Sequence, residues 1–219
     1  TTISYGSEYV FDTTSLYTSP LSVSFDPNTS GKFVIAYRIS GAGKAIVGTV
    51  SGTVISFGSI YTFNSAATID PVMAFDPNNA GKFVIAYRDS GNSYYGTAIV
   101  GTISGTTLSF GSEYVFASVS TNEISVDFDP NTSGKFVIAY YDYTNSNNGV
   151  AIVGTISGTT ISYGSAAIFD SGSVGFTSVA FDPNNAGKFV IAYYDNANIL
   201  GEVIVGTISG TTISYGSVY

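Results

Sequence analysis

The residues best suited to chemistry in this chain lie in short segments where otherwise similar stretches differ from one another. Tyr17, Tyr94, Tyr95, Tyr143 and Phe176 supply flat apolar surfaces, while Asp142, Asn145, Asn147, Asp195 and Asn198 supply paired donors and acceptors. Rings that cover C–H faces, beside amides and carboxylates that hold hydroxyls, suit a carbohydrate or another polar ligand. These ten are the candidate ligand-binding residues. Catalysis has little to build on. The chain has no His and no Cys, so the common nucleophile–base pairs cannot be assembled. Asp70, Glu123 and Asp127 are the carboxylates that could serve a glycosidase, the weakest of the readings. The chain is therefore read as a non-enzyme with no catalytic residue and no cofactor.

One motif tempts a metal reading. Asp26, Asn28, Ser30 and Gly31 match the opening of a calcium loop, but Ala80 and Ala186 break the match in two other copies. Tyr37 stands where a bidentate Glu would be needed. Asp-Pro-Asn followed by Gly already specifies a hairpin turn. No metal site is expected.

The elements that must position these residues come from a repeat. FDPNxxGKFVIAY begins at Phe25, Phe75, Phe128 and Phe181, with spacings of 50, 53 and 53 residues. IVGT[VI]SGT recurs at Ile46, Ile99, Ile152 and Ile204, and a Tyr/Phe-Gly-Ser motif places glycines at Gly6, Gly58, Gly111, Gly164 and Gly216. A fixed period of this length marks one supersecondary unit copied and stacked. Each unit reads as four strands. In the third copy these are Ile124–Asp129, Lys135–Tyr141, Val150–Ile156 and Thr160–Phe169, the last carrying a Gly-Ser break that suggests a bulge.

KFVIAY and AIVGTI are apolar at nearly every position, so both faces of the sheet must be covered. Four-stranded antiparallel sheets packed face to face around an axis meet that demand, which predicts an all-β propeller. A linear stack would need capping units that the sequence lacks. The expected divisions are 1–20 for an outer strand and its connection, then blades at 21–63, 70–116, 124–169 and 177–219. The turns after the first and third strands are uniform, whereas the connections after the second and fourth diverge. All divergent loops are therefore expected on one face, the candidate recognition face.

Composition narrows the partners. A net charge of −8 with only seven Lys and Arg excludes a nucleic-acid backbone, and no apolar run is long enough for membrane insertion. The absence of cysteine excludes disulfides as a source of stability. The fourth-strand motif occurs five times against four copies of the others. Its surplus copy, Thr1–Phe11, is free to complete a blade or to join another molecule in self-association.

Ser125–Asp129 together with Gly134–Asp142, GKFVIAYYD, resembles the blade repeat of bacterial and fungal sugar-binding propeller lectins. FVIAYRD and GTISGTTISYGS-type segments are also similar to repeats in structural proteins of marine phages. The likeness spans the whole chain. It implies glycan or host-surface binding by an adhesion module, outside the cell or on a virion surface, with a purely architectural fibre unit as the rival.

Overall fold

A computed structural model describes residues 2, 5–14 and 20–218. It consists of antiparallel sheets in chain order. The first comprises β1 (Ser22–Phe25), β2 (Lys32–Ile39), β3 (Ala42–Ser51) and β4 (Val54–Asn64). The second uses β5 (Thr68–Phe75), β6 (Lys82–Asp89), β7 (Tyr95–Ser104) and the first part of β8 (Thr107–Phe128). The rest of β8 opens the third sheet, followed by β9 (Lys135–Asp142), β10 (Asn148–Ser157) and a fourth strand split into β11 (Thr160–Tyr163) and β12 (Ala167–Asp170). β13 (Val174–Phe181), β14 (Lys188–Asp195), β15 (Leu200–Ser209) and β16 (Thr212–Val218) make the fourth.

The sequence places a loop at Ala117–Glu123, but the chain there runs on as strand. Ser120 still pairs with Tyr95 of β7, and Thr121 already pairs with Asp142 of β9. The expected bulge is present. The register shifts between Ile46 and Gly48, Ile99 and Gly101, and Ile204 and Gly206.

Packing follows the alternation of each second strand. Val34, Ala36, Ala45 and Val47 of the first sheet bury against Phe75, Phe83, Ile85 and Tyr87 of the second. The same junction recurs between the second and third sheets and between the third and fourth. Burying one such large side chain stabilises by roughly 1.5–3 kcal/mol, so these junctions dominate the core.

The mid-strand glycines Gly48, Gly101, Gly154 and Gly206 are expected from sequence to make room for the next blade. The structure assigns the crowding elsewhere. A Cβ on Gly101 would lie 2.1 Å from Phe83 Cζ, the ring of its cross-strand partner in the same sheet. Each glycine is covered by the Phe directly opposite it, which fills the groove that a side chain would occupy.

The uniform Asp-Pro-Asn turns fasten the sheets together. Asp76 Oδ1 accepts from Asn78 N at 2.9 Å within its own turn, and its Oδ2 accepts from Gly134 N of the next sheet at 3.0 Å. Asp26 bonds Gly81 N, and Asp129 bonds Gly187 N, in the same way. These aspartates are buried, and the motif that resembled a calcium loop is a clamp between neighbours.

The four sheets form an arc in which the inner strand of the first sheet and the outward face of the fourth are open, while Phe33, Ile35 and Tyr37 of the first sheet are buried. On the first sheet Phe25 is 56% exposed, whereas its counterparts Phe75, Phe128 and Phe181 are all below 10%. On the fourth, Val190 and Val203 are each 38% exposed, where Val34 and Val84 are fully buried. The two copies of the outer-strand motif at the ends of the sequence do not compete for one slot. β16 pairs with β15, while residues 5–12 lie along the first sheet. There Phe11 sits edge-on to Tyr37 at 5.3 Å between centroids, and Tyr37 Oη donates to Asp12 at 2.8 Å.

Candidate functional site

The divergent connections gather at one pole, and backbone hydrogen bonds link them into a belt. Thr68 N donates to Gly41 O at 2.7 Å, Ser90 N to Ala67 O at 2.8 Å, and Thr121 N to Tyr94 O at 3.1 Å. Tyr143 N to Ser120 O, Val174 N to Asn147 O, and Asn196 N to Ser173 O continue it at 2.9, 3.1 and 2.8 Å. Each inter-sheet connection is thus tied to the hairpins on both sides. The belt rests on a rigid frame, which is how loops hold a binding geometry.

Two places on this pole concentrate chemistry. The first lies where the innermost strands approach the axis. Asp70, Glu123 and Phe176 occupy the same repeat position, five residues before the Phe of each FDP motif. All three are left-handed, with φ of 47°, 47° and 51°, each beside a register shift in its strand pairing. Holding non-glycine residues there costs of order 1–3 kcal/mol each. Burial, and then the charge of Asp70, push the Glu123 carboxyl above the usual glutamate range. Phe176, at the same position of the fourth blade, is 75% exposed. This repeat position therefore offers two carboxylates and one bare ring.

The second place is a cleft of about 360 Å³ between the second and third sheets. Phe116, Tyr140 and Ile168 give it an apolar wall, and Asp142 and Asn145 give it polar groups. The Asp142 carboxylate is oriented by its own turn, accepting from Thr144 N at 2.9 Å and Thr144 Oγ1 at 2.7 Å.

The remaining candidates take varied positions. Tyr143 is exposed and packs edge-on to Tyr141 at 6.0 Å between centroids, on the same hairpin as Asn147. Tyr94 carries the Arg88 guanidinium over its ring at 4.4 Å, a cation–π contact, and Tyr95 starts β7. Asp195 is buried, and its oxygens serve its own loop by accepting from Ala197 N at 2.7 Å and Asn198 Nδ2 at 2.5 Å. Asp195, Asp170 and Glu202 place ligand-type oxygens within 4.8 Å of one another, and Tyr193 Oη donates to Glu202 at 2.8 Å. Tyr17 lies outside the described residues. Thus Asp142 and Asn145 line the cleft, Tyr143 and Asn147 lie on the same hairpin, Phe176 shares the repeat position of Asp70 and Glu123, and Asp195 with Asn198 braces a loop. The partnership of Asp70 and Glu123 with Phe176 was legible by counting back from each FDP.

The opposite pole is built differently. A cavity of about 490 Å³ opens between the inner strands, lined by Phe25, Phe75, Phe128 and Phe181 with the prolines of the uniform turns and Asp127. Burial raises the Asp127 carboxyl, against hydrogen bonds from the Phe181 and Phe128 amides that act in the other direction.

No family model matches the sequence, and no curated protein matches it either. Solved structures do match in shape. The NanB sialidase of Streptococcus pneumoniae superposes with a TM-score of 0.58 at 16% identity, over 84% of this chain and 30% of that one. Saccharomyces cerevisiae Sqt1 gives 0.59 at 12% identity, over 97% and 62%. A mutant of the Aleuria aurantia lectin bound to α-methyl-L-fucoside gives 0.52 at 12% identity, over 91% and 61%. The fold is a β-propeller. The chain spans less than two thirds of the length of each of these proteins. At such identities the likeness extends to the fold alone.

Proposed function

We propose that this propeller arc is a non-enzymatic carbohydrate-recognition module that binds surface glycans through its loop pole, outside the cell or on a virion surface. The carrying observation is the axial trio. Three blades place Asp70, Glu123 and Phe176 at one strained position, giving a ring for a sugar face and carboxylates for its hydroxyls. The cleft holding Asp142 and Asn145 supplies a second contact of the same chemistry. Two of the structural neighbours support the sugar class: a lectin bound to a fucoside, and an exo-β-1,3-galactanase from Phanerochaete chrysosporium with galactose.

A glycan array probed with the labelled protein tests the reading. Binding to a restricted set of glycans, lost in Phe176→Ala, is expected. Silence across the array favours the architectural role. Turnover of a chromogenic glycoside, abolished by Glu123→Gln, would instead make the carboxylate pair catalytic.

A further inference from the structure

Tyr37, Tyr87, Tyr140 and Tyr193 close the same motif in their four blades, and all four are buried. Three of their hydroxyls are held by a carboxylate. Tyr37 Oη donates to Asp12 at 2.8 Å, Tyr87 Oη to Glu113 at 2.6 Å, and Tyr193 Oη to Glu202 at 2.8 Å. Asn64 and Asp170 stand beside the Tyr87 and Tyr193 hydroxyls as well. The Tyr140 hydroxyl has no such partner among the described residues.

The repeat explains the difference. Partners come from three positions: the residue after the outer-strand Phe (Asp12, Asn64 and Asp170), the Glu113 position two residues after the outer-strand Gly, and the Glu202 position directly opposite the tyrosine on the third strand. Around Tyr140 these positions hold Ala117, Ala166 and Val150. All three line the cleft of about 360 Å³, and so does Tyr140. The cleft is therefore the space that longer polar side chains take in the other blades, with one buried O–H left facing it. Its volume falls within the range of small-ligand sites, roughly 300–1,000 Å³.

Asp142 adds an acceptor. It lies two residues beyond Tyr140 on β9, hence on the same face. Thr144 N and Oγ1 both bond its Oδ1, so Oδ2 has no partner among the described residues. Its counterparts Asp89 and Asp195 are buried, but Asp142 is half-buried and lines the cleft. Phe116, Val150 and Ile168 form the apolar wall, and Ile168 is 51% exposed.

We infer that this cleft binds the acetamido group of an N-acetylated sugar. The methyl lies on the apolar wall, the carbonyl accepts from Tyr140 Oη, and the N–H donates to Asp142 Oδ2. The inference deepens the carbohydrate reading of the loop pole and rests on it. A sugar hydroxyl in the same place would leave the wall facing a polar group. An anionic sugar would set a second negative charge beside Asp142, on a chain whose net charge is already −8. A neutral group that carries a methyl, an acceptor and a donor meets every side of the cleft.

Saturation-transfer NMR on the full chain tests this, with N-acetylglucosamine as the probe and glucose as the control lacking the acetamido group. The acetyl methyl is expected to receive the strongest saturation, and glucose should bind far more weakly. Tyr140→Phe removes the hydroxyl alone and should weaken N-acetylglucosamine by roughly three- to tenfold. Ala166→Glu, at an exposed position, gives Tyr140 the partner that Glu113 gives Tyr87. It should abolish binding with circular dichroism and melting unchanged. Equal binding of glucose, or binding that survives both substitutions, overturns the inference. So does a preference for glucuronic acid, and so does equal binding of N-acetyl-lysine, which carries the same group on an alkyl chain. Array glycans that bind but lack acetamido groups overturn the inference and leave the carbohydrate reading standing. A silent array with no N-acetylglucosamine signal overturns both.

Discussion

Asp76→Ala and Asp182→Ala make the same change in the same turn, but only one of them has a neighbour to lose. Asp76 accepts from Asn78 N at 2.9 Å, Asn79 Nδ2 at 2.7 Å and Gly134 N at 3.0 Å, and it is fully buried. Asp182 makes the two intra-turn bonds, to Asn184 N at 2.9 Å and Asn185 Nδ2 at 2.7 Å, on an exposed turn. Losing a turn of this type costs roughly 0.5–2 kcal/mol, as for a cap residue. Asp76→Ala additionally strands the buried Gly134 amide, which adds about 1–3 kcal/mol. For a chain of this size each kcal/mol lowers Tm by about 2–4 °C. Asp76→Ala should therefore melt roughly 2–12 °C below Asp182→Ala. Thermal melts followed by circular dichroism, at concentrations where the chain is monomeric, give the comparison. Equal losses would refute the clamp, and a larger loss at Asp182 would refute the arc itself.

Other perturbations separate frame from recognition pole. Gly154→Val places a Cβ 2.1 Å from Phe136 Cζ and should destabilise by about 1–3 kcal/mol in chemical denaturation, whereas Gly201→Val, with nothing within 4 Å, should be near neutral. Burial pushes the Tyr87 and Tyr140 hydroxyls upward, and in Tyr87 the Glu113 carboxylate adds to it. The folded state therefore disfavours their phenolates, and stability is intact below the unfolded tyrosine pKa. It falls above about pH 10 by roughly 1.4 kcal/mol per pH unit for each such tyrosine. Their tyrosinate absorbance should appear only as the sheet signal is lost, and full titration of an intact fold would contradict this. Because the Glu123 carboxyl is raised by burial and Asp70, glycan affinity should begin to fall on acidification at a pH above the ordinary glutamate range. Calorimetry across pH measures this effect, and Glu123→Gln should flatten it.

The architecture was legible because duplication writes the same physics four times. Uniform apolarity in KFVIAY and AIVGTI demanded two covered faces, and the divergent connections could lie at only one pole. Turn chemistry was read correctly at Asp-Pro-Asn as far as the local bond, but the second carboxylate oxygen reaches 50-odd residues along the chain, and no local pattern reports that. The glycine in each third strand was recognised as a tight place, yet its obstacle is the ring opposite in the same sheet, a matter of cross-strand register. Openness of the arc was invisible, since burial of Val34 and exposure of Val190 arise from identical local sequence. At the candidate site, Phe176 stood out as an aromatic in a loop. Its alignment with Asp70 and Glu123 emerged from a shared left-handed backbone, which side-chain chemistry does not announce.

The central claim is that recognition belongs to the loop pole and stability to the turn pole. Mapping amide chemical-shift changes on titration with a glycan selected from the array tests it most directly. Shifts confined to the surroundings of Asp70, Glu123, Phe176 and the Asp142–Asn147 hairpin are predicted. Shifts centred instead on the Asp-Pro-Asn turns and the cavity beside Asp127 would contradict the account.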